Sequence, residues 1–348
     1  PLPQIGMAVD KPLVPLWQRA IRTAMQFELL LYAVALAFWL ASFGFEGFFD
    51  VMNTRPFFLN DATLWYEFTE EPLVSSRCLL AIEVGQLLLL AVLDLLLSLY
   101  LLHAVHQNWY KAMQASLCSA IRVGLGGFAA SGLNAGLVQF IKLFVGRLRP
   151  DYAHRCLGPH AHLPTLQYSD AVIFGKEGCV LDEDINPLAS TLDFDARMSF
   201  ISGHSAGAFC VGVFVLLVCL YRAWCIVYWK AFDKNDQSEG SGSAPLSPFE
   251  FLMDILNTNC HRYVAQALVF ISMPSILLAA WVASSRIVDN RHHPADVVGG
   301  SAFGSLVAVS IFLLVLPAIH RDYFGRFTSS GAGEPEKEST DNQEPTLV

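Results

Sequence analysis

The chain has 348 residues, of which 54% are apolar and only 15% are charged, and its mean hydropathy is +0.44. Soluble domains have about 25% charged residues. This composition therefore predicts an all-α integral membrane protein in a lipid bilayer, and it excludes disordered, collagen-like and disulfide-rich classes. A net charge of −9 without a basic block also excludes a typical nucleic-acid-binding protein, so we expect no nucleic-acid partner.

Six apolar segments are long enough to compare with the roughly 20 residues that a membrane-spanning helix needs. They lie at 24–45, 78–102, 123–141, 205–221, 263–285 and 297–319. Six transmembrane helices would place both termini on one side of the membrane. Lys and Arg are more frequent in the loops on that side, and this bias predicts cytoplasmic termini.

The spans divide the chain into three parts. Residues 1–23 are predicted to form a cytoplasmic N-terminal tail, and residues 24–319 the six-span domain. Within that domain, 222–262 form a cytoplasmic linker with a flexible centre rich in Ser and Gly. Residues 320–348 are poor in apolar side chains and are predicted to form a disordered cytoplasmic tail.

Two carboxylates, Glu83 and Asp94, lie inside the second predicted span. Acidic residues in a membrane can mark a transport pathway. An interhelical hydrogen bond, or a carboxylate that faces a wet cavity, is the favoured interpretation, and Gln86 one turn from Glu83 supports it.

Small residues recur at a spacing that lets helices approach closely. Gly132 and Gly136 have this spacing in the third span, and Gly300 and Gly304 have it in the sixth. Packing within the chain is the favoured interpretation, and the interface of a homo-oligomer is the alternative.

The eight cysteines have no metal-binding spacing. Cys156 and Cys179 alone share the long loop after the third span. They are candidates for a disulfide if that side of the membrane is extracellular or lumenal.

Three polar clusters interrupt the apolar pattern. The first lies at 142–150, where the third span ends, the second at 199–205, where the fourth begins, and the third at 285–296, between the fifth and sixth. By span parity all three lie on the same, non-cytoplasmic side. They can therefore meet at one membrane face.

The clusters contain groups that suit an anion. Lys142, Arg149 and Arg286 supply three cations, and Arg in particular matches the oxygens of phosphate. Ser202 and Gly203 open a helix, where free N–H groups and the positive end of the dipole also favour an anion.

Histidines and one carboxylate accompany these cations. His292 and Asp296 lie four residues apart, so on a helical turn they would share a face, and the carboxylate would make the imidazole more nucleophilic. His204 is then free to act as an acid. Each cluster alone is often a membrane anchor, a helix cap or a structural pair. A zinc site from His204, His292, His293 and Asp296 is conceivable, but three nearby cations disfavour it.

These motifs resemble the three-part signature of the type 2 phosphatidic acid phosphatase superfamily, in particular its lipid phosphate phosphatases. The similar stretches are Gly146-Arg-Leu-Arg-Pro150, Ala196-Arg-Met-Ser-Phe-Ile-Ser-Gly-His204, Ser285-Arg-Ile-Val-Asp-Asn-Arg-His-His293 and the first loop at 55–66. Ile201 stands where many members of the superfamily have Pro, a residue that lipid phosphatases often lack.

The resemblance implies a metal-independent phosphatase that needs no cofactor. The implied phosphate ligands are Lys142, Arg149, Ser202, Gly203 and Arg286. His292 would attack phosphorus and form a phosphohistidine, and Asp296 would orient it. His204 would protonate the leaving alkoxide and then activate water.

The implied substrates are lipid phosphate monoesters of the membrane, namely phosphatidate, lysophosphatidate, sphingosine-1-phosphate and ceramide-1-phosphate. Diacylglycerol pyrophosphate or polyprenyl diphosphate are alternative substrates. A non-catalytic, lipid-binding signalling relative is a further alternative, which the intact motif residues argue against. The active site would face the extracellular or lumenal side of the plasma membrane or an endomembrane.

Overall fold

A computed structural model describes residues 28–42, 55–106, 109–158, 172–173, 179–192, 194–238 and 248–324. Its helices are α1 Glu28–Ser42, α2 Ser76–His106, α3 Trp109–Val145, α4 Tyr152–Leu157, α5 Gly203–Ser238, α6 Pro248–Val288 and α7 Pro294–Phe324. Two short strands, β1 Phe57–Phe58 and β2 Val172–Ile173, pair antiparallel. Short 3-10 turns lie at Ala62–Leu64, Ala189–Thr191 and Phe194–Arg197.

Five of these helices are long and apolar enough to cross a bilayer, which confirms an all-α, multi-pass integral membrane protein. The spans are Ser76–Tyr100, Ala115–Val145, Gly203–Val227, Arg262–Val288 and Pro294–His320. The first predicted span, 24–45, is described only as α1, which is apolar but shorter than 18 residues. Its flanks lie outside the described residues. Within the described part of the chain, the number of spans is therefore five rather than six.

Helix α5 lies at the centre of the bundle, packed along α6 and α7 and also against α2 and α3. Val211 and Phe214 of α5 are fully buried in a cluster with Ile311 of α7. The outer helices instead expose large apolar side chains such as Leu89 and Phe270. A helix surrounded by others is apolar on all faces, and the exposed side chains of its neighbours suit contact with lipid.

Asp94 is paired inside the bundle. Arg222 of α5 donates from Nε to Asp94 Oδ1 at 2.6 Å, and Ser119 of α3 donates to Asp94 Oδ2 at 2.8 Å. These bonds join three helices in a region where backbone and side-chain polar groups must find partners within the protein. They support the interhelical interpretation of Asp94 rather than a transport pathway.

The paired glycines lie at contacts between helices of this chain. A Cβ at Gly132 would lie 2.8 Å from the carbonyl oxygen of Ala35 in α1, and one at Gly304 would meet the carbonyl oxygen of Ala206 in α5. Packing within the chain accounts for both glycines.

A largely non-helical cap covers the end of the bundle at which α3 ends and α5 begins. It consists of the described residues within 55–73 and 146–202. A disulfide joins Cys156 and Cys179 in this cap. The Asn186 amide donates to the carbonyl oxygens of Arg155 and Val180 at 2.8 and 2.9 Å. The apolar core of the cap includes Phe57, Leu59, Leu64, Leu148, Tyr152, Leu192 and Ala196. The cap holds the loops that follow α3 and precede α5.

The predicted tail at 1–23 and most of the tail at 320–348 lie outside the described residues. Much of the predicted linker at 222–262 is helical, because α5 runs on to Ser238 and α6 begins at Pro248. Only 239–247 of that linker lies outside the description. Both helices continue past their apolar spans, where hydropathy no longer marks them.

Candidate active site

One cavity at the cap end of the bundle gathers residues from all three polar clusters. Its volume is about 500 Å³. The predicted site residues that line it are Lys142, Arg149, Gly203, His204, Arg286 and His292. Two others, Ser202 and Asp296, are not part of this lining in the described chain.

The end of α3 supplies two cations to the cavity. Lys142 lies in the last turn, and Gly146 leaves the helix with a φ of +54° while its N–H donates to the Lys142 carbonyl oxygen at 3.1 Å. Glycine tolerates this left-handed conformation. Arg149 follows, with Nε and Nη1 donating to the carbonyl oxygens of Asp195 and Arg291 at 2.7 and 3.1 Å. These bonds fix the guanidinium of Arg149 in one orientation.

The first turn of α5 contains Gly203 and His204, and its N–H groups have no partner inside the helix. A Cβ at Gly203 would lie 3.5 Å from Lys142 Nζ, so the backbone lies close to this cation. A helix N-terminus beside an ammonium suits an anion. The hydroxyl of Ser202, however, is buried and accepts from Ser205 Oγ at 3.0 Å. The geometry does not support a phosphate contact from the Ser202 side chain.

Arg286, near the end of α6, brings the third cation. It is buried, and it donates from Nε to Ser285 Oγ at 3.2 Å and from Nη2 to Asp289 Oδ2 at 2.5 Å. Asp289 also accepts from the backbone N–H of Leu73 at 3.1 Å. These bonds anchor the guanidinium at the edge of the cavity.

His292 lies in the turn between α6 and α7 and is almost fully buried. Its Nδ1 lies 2.7 Å from the carbonyl oxygen of Ser199. Because a carbonyl oxygen only accepts, Nδ1 carries the proton and Nε2 keeps its lone pair. Burial, together with Arg149 and Lys142, holds the pKa of His292 well below its ordinary value. A neutral imidazole with a free Nε2 is therefore present in the cavity.

His204 is the second histidine of this lining. Its Nε2 is buried and has no hydrogen-bond partner within the described ranges. The ring nitrogen is thus open to a group that enters the cavity.

The predicted bond between Asp296 and His292 is wrong. Asp296 Oδ1 accepts from Arg147 Nη1 at 2.7 Å, and Oδ2 accepts from Ser199 Oγ at 2.5 Å and from the N–H of His293 at 3.0 Å. Helix α7 begins at Pro294, so Asp296 lies in its first turn and folds back on the residue before the helix, as in a capping box. His292 precedes the helix, so the four-residue spacing does not place the two side chains on one helical face.

Asp195 and Arg291 also line the cavity, and the sequence did not single them out. Asp195 Oδ1 accepts from Arg149 Nη2, and its Oδ2 lies 3.7 Å from Arg291 Nη1. Partial desolvation raises the pKa of the half-exposed Asp195 carboxyl, but Arg149 and the other cations outweigh it and leave that pKa below its ordinary value. The carboxylate therefore offsets part of the positive charge. Asp195 directly precedes the quoted stretch Ala196–His204, and Arg291 lies inside the stretch Ser285–His293, which is the only sequence signal that they carry.

These features define a multi-span membrane protein with a cavity lined by Lys and Arg side chains at one end of its helix bundle. The profile of the PAP2 superfamily matches residues 123–319. This match covers more than half of the chain and includes all three polar clusters. The chain therefore belongs to the PAP2 superfamily, and the resemblance seen in its motifs is confirmed.

Two curated relatives are similar to this chain. It is 26% identical over 294 residues to the probable diacylglycerol pyrophosphate phosphatase 1 of Schizosaccharomyces pombe. This alignment covers 83% of this chain and 81% of the relative. It is also 25% identical over 175 residues to lipid phosphate phosphatase 1 of Saccharomyces cerevisiae. This second alignment covers 50% of this chain and 45% of the relative. No solved structure matches the chain.

Proposed function

We propose that this protein hydrolyses lipid phosphate monoesters at the extracellular or lumenal face of its membrane, through a phosphohistidine on His292 and without a metal ion. The observation that carries the proposal is the tautomer of His292. The bond from Nδ1 to the Ser199 carbonyl oxygen leaves Nε2 unprotonated in a cavity with three cations. Membership of the PAP2 superfamily and two relatives that are both named phosphatases support it.

Lys142, Arg149 and Arg286 bind the phosphate oxygens in this proposal. A hydrogen bond to a charged group contributes about 1.5–3 kcal/mol. The first turn of α5 adds backbone N–H groups. Fixed donors of this kind stabilise the charge that develops on phosphorus oxygens in the transition state, which is the electrostatic task a metal ion performs in other phosphatases.

In the first step, Nε2 of His292 attacks phosphorus and the bond from phosphorus to the lipid oxygen breaks. His204 gives its proton to the departing alkoxide, so a lipid alcohol leaves and a phosphohistidine remains. Asp296 acts indirectly in this scheme. It accepts a hydrogen bond from the hydroxyl of Ser199, and the carbonyl oxygen of Ser199 accepts one from His292.

In the second step, His204 takes a proton from water and the resulting hydroxide attacks phosphorus. The bond from phosphorus to Nε2 breaks, inorganic phosphate is released, and the imidazole of His292 returns to its starting tautomer. His204 is protonated again and ready for the next substrate.

The proposed substrates are phosphatidate, lysophosphatidate, sphingosine-1-phosphate and ceramide-1-phosphate. Diacylglycerol pyrophosphate is a second candidate, because a relative that is named for it aligns with 83% of this chain. The same attack by His292 would release the terminal phosphate of that lipid.

Phosphate release from each of these lipids in detergent micelles, with and without EDTA, tests the proposal. We expect hydrolysis that survives EDTA and is abolished by His292→Ala. Arg149→Lys should lose roughly tenfold to a hundredfold in turnover, because an ammonium cannot reproduce the planar guanidinium contacts. A strict requirement for added Mg²⁺, or full activity of either variant, would contradict it.

A further inference from the structure

Glu83 of α2 is a buried carboxylate that lines the active-site cavity and has no part in the proposed reaction. It is 7% exposed. Ser131 of α3 donates to its Oε2 at 2.8 Å. Across the described ranges, no Lys, Arg or His side chain forms an ion pair with it. Such a carboxyl group is costly to ionise unless a further donor or a cation reaches it.

Two glycines of α5 show how far Glu83 lies from the proposed phosphate-binding end of the cavity. A Cβ at Gly203 would lie 3.5 Å from Lys142 Nζ, and a Cβ at Gly207 would meet Glu83 Oε1. These glycines are one turn apart on α5, which is about 6 Å along the helix axis. The carboxylate of Glu83 therefore lies about one helical turn deeper in the bundle than the ammonium of Lys142.

A second, apolar cavity begins at Glu83. It has a volume of about 480 Å³ and lies between α1, α2 and α3, where its lining includes Leu36, Leu87 and Phe128. Trp39, Leu80, Glu83 and Ser131 line both cavities. Glu83 thus marks the point at which a polar, cation-lined space gives way to an apolar one. In a lipid phosphate, the atoms that lie between the phosphate and the hydrocarbon chain would occupy this point.

We propose that Glu83 selects lipid phosphates that carry an ammonium group on the carbon next to the phosphorylated carbon, the class to which sphingosine-1-phosphate belongs. This inference rests on the proposed phosphatase function and assigns the substrate preference of the same site. With phosphate on Lys142, Arg149 and Arg286, the ammonium group lies a few bonds further along the lipid, toward Glu83. It supplies a cation that Glu83 does not find among the described residues.

Diacyl lipids offer the opposite chemistry at this point. The neighbouring carbon of phosphatidate carries an ester, whose oxygens only accept hydrogen bonds. An acceptor beside the Glu83 carboxylate leaves both groups desolvated and unpaired, which disfavours such a substrate. Lipids with a neutral donor, such as the hydroxyl of lysophosphatidate, fall between the two.

The test compares two synthetic lipids, sphinganine-1-phosphate and its analogue with the amine replaced by hydrogen. Their affinities are measured in micelles in a His292→Ala background, which prevents turnover, with and without Glu83→Gln. We expect Glu83→Gln to weaken binding of the amine lipid by about tenfold or more and to change the analogue by less than about twofold. Glu28→Gln, an equivalent change in α1 outside both cavities, should leave the ratio unchanged.

Equal effects of Glu83→Gln on the affinities of both lipids would overturn the inference. A selective loss of affinity for the lipid without the amine would overturn it too. The same comparison of kcat/KM in the chain with His292 intact separates this inference from the phosphatase proposal. If both lipids are hydrolysed but Glu83→Gln leaves their ratio unchanged, only the role of Glu83 fails. If neither lipid releases phosphate, the phosphatase proposal fails, while the affinities still decide whether Glu83 recognises the amine.

Discussion

Ser199 connects two polar groups beside the cavity through its backbone and its side chain. Its carbonyl oxygen accepts from His292 Nδ1 at 2.7 Å, and its hydroxyl donates to Asp296 Oδ2 at 2.5 Å. Ser199→Ala keeps the carbonyl group but removes the bond to Asp296. We expect turnover to fall by up to roughly tenfold to a hundredfold, the range for one hydrogen bond to a charged group. Kinetics with a lipid phosphate would measure this loss.

A double-mutant cycle makes that prediction specific. If Asp296 acts through Ser199, Ser199→Ala combined with Asp296→Asn should cost little more than Asp296→Asn alone. Ser301→Ala serves as the matched control, because its hydroxyl donates only within α7, to the carbonyl oxygen of Val297 at 2.9 Å. Strictly additive losses would mean that Asp296 supports His292 by another route.

The low pKa of His292 predicts how activity depends on pH. Burial and the cations Arg149 and Lys142 lower this pKa well below that of an ordinary histidine, about 6.5. A lowered pKa keeps the imidazole neutral to lower pH, so phosphohistidine formation should persist below pH 6.5. Lys142→Met removes one cation and should move the acid limb of this step to higher pH, although the rate itself falls.

Single-turnover measurements with an activated aryl phosphate would check this pH profile. Because a phosphate monoester also ionises near pH 6, two aryl phosphates of different acidity are needed. A limb that follows the acidity of the substrate, and that Lys142→Met does not move, would contradict the assignment to His292.

The sequence predicts six of the residues that line the cavity, but not all of its lining and not its hydrogen bonds. Span parity and motif order are sufficient to bring Lys142, Arg149 and His204 to one membrane face. Whether Asp296 can reach His292 depends instead on where α7 begins, and because the helix begins at Pro294, each of these side chains has another partner. Asp195 belongs to a loop that only the folded cap brings over the cavity, so no local pattern reveals its role.

Close contact between α7 and α5 positions the helix that carries His204. A Cβ at Gly304 would meet the carbonyl oxygen of Ala206 and lie 2.8 Å from its carbonyl carbon, and backbone atoms cannot move aside as a flexible side chain can. Gly304→Ala should therefore destabilise the protein by about 1–3 kcal/mol and lower turnover by displacing α5. Thermal unfolding in detergent and phosphatase kinetics would measure both effects.

Gly85→Ala provides the matched control, because a Cβ at Gly85 of α2 would meet no atom of another helix within 4 Å among the described residues. We expect its stability to stay unchanged or to rise by up to about 1 kcal/mol, because alanine favours a helix more than glycine does. Equal behaviour of Gly85→Ala and Gly304→Ala would show that the approach of α7 to α5 is not as close as the structure has it.

Hydropathy predicts the elements more reliably than their ends. The five confirmed spans contain apolar runs that only a bilayer or a protein core can accommodate, and their helices follow from that requirement. Beyond the bilayer the apolar signal is lost, which explains why α5 and α6 extend into the predicted linker. The sequence of the cap shows no helical or strand periodicity. The cap is stabilised instead by the disulfide and by side-chain hydrogen bonds such as those of Asn186, which hydropathy does not reveal.

The orientation of the whole molecule gives a prediction about accessibility. Residues 181–185 of the cap are exposed and lie at the same end as the cavity. In intact cells, a cysteine introduced by Glu183→Cys into a Cys78→Ser background should react with an impermeant reagent. A tag after Val348 should remain protected from external protease, because the Lys and Arg bias predicts a cytoplasmic terminus. If both sites are accessible from the same side, the proposed placement of the active site is incorrect.

Direct capture of the phosphoenzyme tests the central proposal. A lipid phosphate labelled in its phosphate group is mixed with the protein, quenched rapidly, and examined for acid-labile, base-stable label on histidine. We expect transient label in the wild-type chain, accumulated label in His204→Ala, which lacks the group that activates water, and no label in His292→Ala. Label in His292→Ala, or none in either of the other proteins while phosphate is released, would contradict the proposed phosphohistidine mechanism.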